Sequence, residues 1–235
     1  MIPWELLGNA RVPGGTEEIS LHRRGSEYVI KVDGHLLMTN LTHSSEDSLS
    51  ELGCAGLATV RRASVLIGGL GMGYTLAAAL KRVGPDARVH VCELVPEVVA
   101  WNLDLIGHLA GNPLADKRAA VLQRDIADVL RAEKGAYDAI LQDVDNGPEG
   151  LTVKANDWLY GEEGLAVAAA ALRPGGTLAL WSARPNKPFV KRLRKAGFEV
   201  SEVVARSRNQ HRGAHHIVWL ARRNDPTFRR NKESQ

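Results

Sequence analysis

Three glycines at alternate positions, Gly69, Gly71 and Gly73, separate the apolar run Ala63-Ser64-Val65-Leu66-Ile67-Gly68 from an Ala/Leu-rich stretch that opens Tyr74-Thr75-Leu76. A buried strand, a tight glycine turn and the first turns of a helix present backbone N–H groups to a ligand. Glycine permits positive φ and carries no Cβ to block close approach. Carboxylates follow where such a ligand would meet them. Glu93 closes the strand-like Arg88-Val89-His90-Val91-Cys92-Glu93, 20 residues after Gly73, and an acid at the tip of a second strand accepts hydrogen bonds from ribose hydroxyls. Asp125 closes a third strand, Ala120 to Asp125, where it either approaches a base edge or caps the helix that starts at Ile126; one residue can do both. Asp143 closes a fourth, Tyr137-Asp138-Ala139-Ile140-Leu141-Gln142-Asp143. Ligands of open α/β sheets bind outside the carboxyl ends of the strands, so an acid there can orient an attacking amine or accept its proton. Asp145 is either a turn former or a second substrate contact.

Other chemistries fit less well. A dinucleotide turn of the G-x-G-x-x-G or G-x-G-x-x-A kind needs glycine or alanine where Tyr74 stands, which disfavours a nicotinamide-dependent oxidoreductase. An ordinary glycine-rich βα turn remains the bland alternative. His211, His215 and His216 have no partnering acid at metal-site spacing, so no metal is expected. His43 precedes a helix start and reads as a surface residue of the capping region. Tyr74 and Trp158 are either core aromatics or a cover for an adenosyl group. Cys54 and Cys92 lack a C-x-x-C partner and read as buried thiols of a reducing, cytoplasmic compartment.

The elements that must position these residues follow from pattern. The chain has 235 residues, 44% hydrophobic and 24% charged, enough for one sizeable α/β domain with a small appendage. Residues 1–20 show no clear period. Ile19-Ser20-Leu21 and Tyr28-Val29-Ile30-Lys31-Val32 are strand-like, and Asp33-Gly34 signals a hairpin before His35-Leu36-Leu37-Met38. Ser44 or Ser45 caps a helix expected from Glu46 to Val60. Helices are expected over Pro96 to Leu109, Ile126 to Glu133, Leu165 to Leu172 and Lys187 to Lys195, with a turn at Arg173-Pro174-Gly175-Gly176 before a strand from Thr177 to Trp181. Phe198 to Ala205 and His216 to Ala221 leave no room for a helix between them and should pair antiparallel at the sheet edge. The expected division is a small N-terminal β unit over 1–45, a ligand-binding α/β domain over 46–222 and a charged, frayed tail over 223–235. No apolar run reaches the length of a membrane span. The basic set Lys187, Lys191, Arg192, Arg194 and Lys195 has no aromatic interleaving, so a solvated helix face is preferred to a nucleic-acid partner.

Taken together, the G-x-G-x-G turn, Glu93, Asp125 and the closing antiparallel hairpin resemble the class I S-adenosylmethionine-dependent methyltransferase superfold, a Rossmann-like, mostly parallel sheet. Tyr28–Gly34 with the acidic helix to Glu51, Leu66-Ile67-Gly68-Gly69, Cys92–Val99 and Tyr137–Asp143 resemble the spermidine synthase branch in successive order, over residues 17 to 222. The resemblance implies that Gly69, Gly71 and Gly73 back the methionine and ribose portions of S-adenosylmethionine or its decarboxylated form. It implies that Glu93, with Leu94 beside it, holds the ribose, that Asp125 and Ile126 meet the adenine, and that Asp143 serves the chemistry. It also implies a small-molecule, polyamine-like acceptor and a homodimer paired through the N-terminal unit.

Departures from that pattern shape the expected activity. Polyamine synthases of the branch usually carry, where this chain has Gly71, an Asp that helps hold the amine end of the decarboxylated cofactor. Where the branch carries a tyrosine in the acidic helix, this chain has Leu49 between Ser48 and Ser50, and the strand-four loop reads Asp143-Val144-Asp145-Asn146-Gly147-Pro148. The absence of an acid at Gly71 favours methyl transfer narrowly over aminopropyl transfer. A non-catalytic adenosyl-binding module is the alternative from another class, and it would be indifferent to Asp143→Asn.

Overall fold

A computed structural model describes residues 2–142, 157–182, 184–206 and 215–225. A four-stranded antiparallel sheet comes first: β1 (Glu5–Arg11), β2 (Glu18–Arg24), β3 (Glu27–Val32) and β4 (His35–Thr39), side by side in that order. At the β3–β4 turn Asp33 and Gly34 both take positive φ, 48° and 77°. That is the paired left-handed geometry a two-residue hairpin needs. The Asp33 carboxylate also accepts from the Glu18 backbone N–H at 2.8 Å, tying the turn to β2.

Strand β1 has no clear sequence period for a structural reason. Its register against β2 slips between Leu6 and Gly8, and such a slip interrupts inside–outside alternation. At Gly8 a Cβ would come within 2.5 Å of Trp101 Nε1. Gly8 is what lets β1 lie against the helix that carries Trp101.

The main body runs α1 (Ser44–Gly53), β5 (Ser64–Gly68), α2 (Tyr74–Leu80), β6 (Arg88–Cys92), α3 (Pro96–Asp104), β7 (Ala119–Leu122), α4 (Ile126–Ala132), β8 (Tyr137–Gln142), α5 (Asp157–Tyr160), α6 (Glu162–Ala171), β9 (Leu172–Ser182), α7 (Lys187–Lys195), β10 (Phe198–Arg206) and β11 (His215–Arg223). Seven strands form one sheet in the order β10-β11-β9-β8-β5-β6-β7. β7, β6, β5, β8 and β9 are parallel, and β11 is antiparallel to both β9 and β10. The chain moves outward from β5 to β6 and β7, then returns to place β8 on the other side of β5. This reversal is a topological switch point, and the crevice above it is where open α/β sheets bind ligands.

Two cores flank the sheet. One joins Ile19, Leu21, Ile30 and Val32 of the N-terminal sheet to Leu49, Met72, Leu76 and Trp101. The other packs Leu66, Ile140, Leu178, Leu180 and Trp219 of the sheet under Leu130, Leu165 and Phe189 of the helices. α1 lies close on the first face because Gly53 has no side chain. A Cβ there would strike the Leu141 side chain and sit 2.9 Å from Ala179 Cβ. Gly53→Ala should therefore lower stability by about 1–3 kcal/mol through overpacking, read as a drop in Tm; an unchanged Tm would contradict this account of the close approach.

Several boundaries differ from expectation. The helix expected to reach Val60 stops at Gly53, and only a 3-10 turn, Leu57–Thr59, follows. Its N-cap is His43 and no side chain caps it, so neither Ser44 nor Ser45 takes that role. The helix expected to reach Leu109 ends at Asp104. Arg173–Gly176 is not a separate turn. It bulges within β9, whose pairing with β8 jumps from Tyr137↔Leu172 to Ala139↔Thr177, and Gly175 supplies the positive φ, 78°. Arg223, the first residue of the expected tail, still belongs to β11, and the Arg222 guanidinium before it donates to the Gly175 carbonyl at 3.1 Å. α7 buries Phe189, Val190 and Leu193, and Lys195 pairs with Glu162 at 2.7 Å. Its basic residues thus mark the solvent side of an amphipathic helix.

Candidate functional site

The glycine turn lies at the carboxyl end of β5. Gly69, Gly71 and Gly73 take φ of 85°, 52° and 83°, left-handed values that L side chains adopt only with strain. Gly69 and Gly71 are half-buried, whereas Leu70, Met72 and Gly73 are buried. Gly73 serves packing: a Cβ there would sit 3.1 Å from both Asn102 Oδ1 and Pro113 Cγ. The turn is held from three sides. Gly69 N–H donates to the Cys92 carbonyl at 2.9 Å and Gly73 N–H to the Leu70 carbonyl at 2.8 Å. Asn102 Nδ2, reaching from α3, donates to the Gly71 carbonyl at 2.7 Å.

Glu93 supplies the remaining hold. The residue is 9% exposed; its Oε2 accepts from Leu70 N–H at 3.0 Å and Oε1 from Val95 N–H at 2.9 Å. One group therefore ties the glycine turn to the chain entering α3. The N–H groups of Leu94 and Gly71 also face the carboxylate, so a ligand diol would share its acceptor sites with the backbone. Burial raises its pKa above the ordinary carboxylate range, and N–H groups of Val95, Leu70, Leu94 and Gly71 pull it partly back.

That raised pKa sets a pH dependence. Hydroxyls donating to Glu93 favour its charged form, so binding a diol releases a proton wherever Glu93 is still protonated. Affinity for a ribose-bearing ligand should rise as pH climbs through the raised Glu93 pKa and level off above it. Titration calorimetry at stepped pH would show this rise, and a flat profile would contradict it. The stability term has the opposite sign. With its folded pKa above its unfolded one, Glu93 holds its proton better in the native state, so its contribution is present at low pH and declines as pH rises through the folded value.

Asp125 is not a strand tip. β7 ends at Leu122, and Asp125 is the N-cap of α4, with Oδ1 accepting from Ala127 N–H at 2.8 Å. The Asp125 charge is near enough to Cys92, at the end of β6, to help burial push that thiol up to about 12. The Cys54 thiol, likewise buried, is also pushed up to about 12. Neither cysteine is a nucleophile at neutral pH. Leu94 is half-buried beside Glu93, and Ile126 is buried in the first turn of α4. Asp143 and Asp145 lie outside the described residues; β8 brings the chain as far as Gln142.

Both aromatic candidates are packing residues. Tyr74 is 6% exposed and its ring stacks on His43 at 4.2 Å and 12°. Trp158 carries the Arg131 guanidinium 4.0 Å above its ring. His43 bonds Asp47 through Nδ1 at 3.1 Å, and with Tyr74, Lys81 and Gly111 it lines a cavity of about 310 Å³ beside α2.

Three residues beside the glycine turn and the end of β5 escaped the sequence reading. Met38 comes from β4, and its Sδ lies 2.8 Å from where a Gly71 Cβ would stand. Asn102 clamps the turn, and Gln142 ends β8 with 1% exposure. Asn102, between Trp101 and Leu103, and Gln142, after Ile140-Leu141, each left a trace as an amide beside apolar residues. Met38 left none, because its approach is purely tertiary.

No protein-family model matches the chain. Over 169 residues it is 29% identical to a polyamine aminopropyltransferase of Corynebacterium efficiens, a match that covers 71% of this chain and 31% of that protein. The chain thus spans less than a third of the length of that curated relative. Among solved structures, spermidine synthase from Thermotoga maritima superposes with a TM-score of 0.72 at 18% identity, covering 94% of this chain and 74% of that one. A spermidine synthase in complex with the transition-state analogue AdoDATO gives the same score and identity, covering 94% and 73%. With its four-stranded antiparallel sheet ahead of a seven-stranded, mostly parallel one, the chain has the fold of the spermidine synthase branch of the methyltransferase-like superfold.

Proposed function

We propose that this chain is an aminopropyltransferase-like enzyme whose donor is decarboxylated S-adenosylmethionine and whose acceptor is a small amine. The observation that carries the reading is the buried Glu93 carboxylate at the switch point, which braces the turn that presents half-buried Gly69 and Gly71. The 29% identity to a polyamine aminopropyltransferase supports aminopropyl transfer as the chemistry. When bound, the donor supplies a sulfonium whose C–S bond breaks as an amine nitrogen attacks the adjacent carbon, leaving a neutral thioether.

The chain's own residues then have distinct tasks. Gly69 and Gly71 admit the ligand against the backbone. Glu93 fixes the ribose, and the free oxygen of Asp125 together with Ile126 meets the base. Fixing the donor this way holds the reacting carbon at attack geometry, which removes much of the entropic barrier. Asp143, directly after Gln142 in sequence, orients the amine and accepts its proton, with Asp145 as a second contact. Its negative charge also favours a cationic acceptor.

Methyl transfer from S-adenosylmethionine is the second reading. It is favoured by one observation: the Met38 thioether, not an acid, stands over Gly71. Incubating the protein with either donor and a panel of diamines separates the two. Methylthioadenosine released from the decarboxylated donor is the expected product, and S-adenosylhomocysteine formation instead would install the second reading. Asp143→Asn should lower turnover at least about 100-fold, as loss of a general base does, with donor affinity nearly unchanged. Equal turnover by this variant would remove Asp143 from the chemistry.

A further inference from the structure

Gln142 presents an anomaly that the roles assigned above do not use. It is the last residue of β8, it is 1% exposed, and neither its Nε2 nor its Oε1 has a hydrogen-bond partner. Among the described residues the other side chains with a bare buried polar atom, His90, Asn102, Trp181 and His216, each leave a single atom unpaired. Buried amides are almost always bonded, and an exception calls for a reason.

Its position supplies one. β8 and β5 are the neighbours at the switch point, and Gln142 is in register with Gly68 on β5 and Leu180 on β9. Gly68 is in turn in register with Cys92 on β6. Cross-strand partners share a face, so Leu180, Gln142, Gly68 and Cys92 form one row along the carboxyl end of the sheet. Leu180 and Cys92 belong to the core under α4, the helix whose N-cap is Asp125. Gly68 is the gap in that row, since it puts no side chain beside the amide. A carboxamide offers a donor and an acceptor side by side, the pattern that pairs with the 6-amino group and a ring nitrogen of adenine.

We infer that the Gln142 carboxamide is a base-reading group that hydrogen-bonds the adenine of the bound nucleoside across the gap left by Gly68. The inference rests on the adenosyl-binding reading and adds the residue that selects the base. It makes Gln142 a specificity residue, satisfied only when ligand is present.

The test compares 5′-methylthioadenosine with the corresponding purine riboside, which lacks the 6-amino group, by calorimetry on the wild-type chain and on Gln142→Met. Methionine keeps the length of the side chain and removes both polar atoms. Wild type should prefer the adenine compound about tenfold, the worth of one hydrogen bond in a dry site. Gln142→Met should bring the two compounds to within about twofold while melting no lower than wild type, because the free amide has no bond to lose. A variant that keeps the wild-type preference, or one that melts far lower or fails to fold, makes the amide a structural group and overturns the inference. A wild-type preference below twofold overturns it without any variant. Failure of wild type to bind either compound is a different result, since it removes the adenosyl reading itself.

Discussion

Glu93→Ala should abolish measurable binding of adenosyl ligands, with a loss of about 100-fold or more, and should also lower Tm by several degrees. Both effects come from one carboxylate with two duties. In the free protein it is the acceptor for Leu70 N–H and Val95 N–H. Alanine leaves those donors buried and unpaired, at about 1–3 kcal/mol each. In the complex the same oxygens accept from the ribose, and hydrogen bonds to a charged group are worth about 1.5–3 kcal/mol apiece. Glu93→Gln separates the duties. Its single acceptor oxygen can keep one backbone bond, so stability should recover in part, while the loss of charge leaves binding weak and removes the rise in affinity with pH. Calorimetry and thermal unfolding on the two variants read these effects separately. Full affinity in Glu93→Ala would mean that the carboxylate only braces the turn.

Gly71 and Met38 together should decide which donor the site prefers. Gly71→Asp places a carboxylate where the branch usually holds the amine of the decarboxylated cofactor. The backbone there has φ of 52°, which Asp tolerates better than most residues. The obstacle is the neighbour, since a Cβ at Gly71 would be 2.8 Å from Met38 Sδ and 3.2 Å from its methyl carbon. The single substitution should therefore cost about 1–3 kcal/mol of stability by overpacking, moderated by the flexibility of methionine. Met38→Ala in the same chain opens the space. The double variant should then gain about ten- to a hundredfold in preference for decarboxylated over carboxylated S-adenosylmethionine, the worth of a charge-assisted bond to the ligand ammonium. An unchanged ratio would show that this end of the ligand does not lie over Gly71.

The parallel core was legible because its signals are local. Val65, Leu66 and Ile67 are continuous and buried, the glycine turn interrupts them, and an apolar run such as Ala139-Ile140-Leu141 or Leu178-Ala179-Leu180 marks later strands. The closing antiparallel pair was legible from chain length alone. Strand β1 was not, because its pattern is broken by the slip at Gly8, whose reason is the Trp101 ring on a distant helix. The same limit governs the site. Glu93 can be found from its spacing to the glycines, but its bracing of Leu70 N–H appears only once β5 and β6 are side by side. Asp125 shows the opposite case. Its capping role is local and was one of two readings, and the bond to Ala127 N–H establishes it without deciding the other. Met38 reaches Gly71 only because the N-terminal sheet shares a core with α1 and α3, a juxtaposition that no spacing in the sequence encodes.

The central claim is that the crevice above Gly69, Gly71 and Glu93 receives an adenosyl sulfonium for aminopropyl transfer. Its most direct test is calorimetric titration of the purified chain with decarboxylated S-adenosylmethionine, S-adenosylmethionine, methylthioadenosine and NAD. Saturable binding of the decarboxylated donor and of methylthioadenosine, tighter than that of S-adenosylmethionine and with none for NAD, is the predicted result. Tighter binding of S-adenosylmethionine would contradict aminopropyl transfer in favour of methyl transfer, and binding of none of the adenosyl compounds would contradict the site.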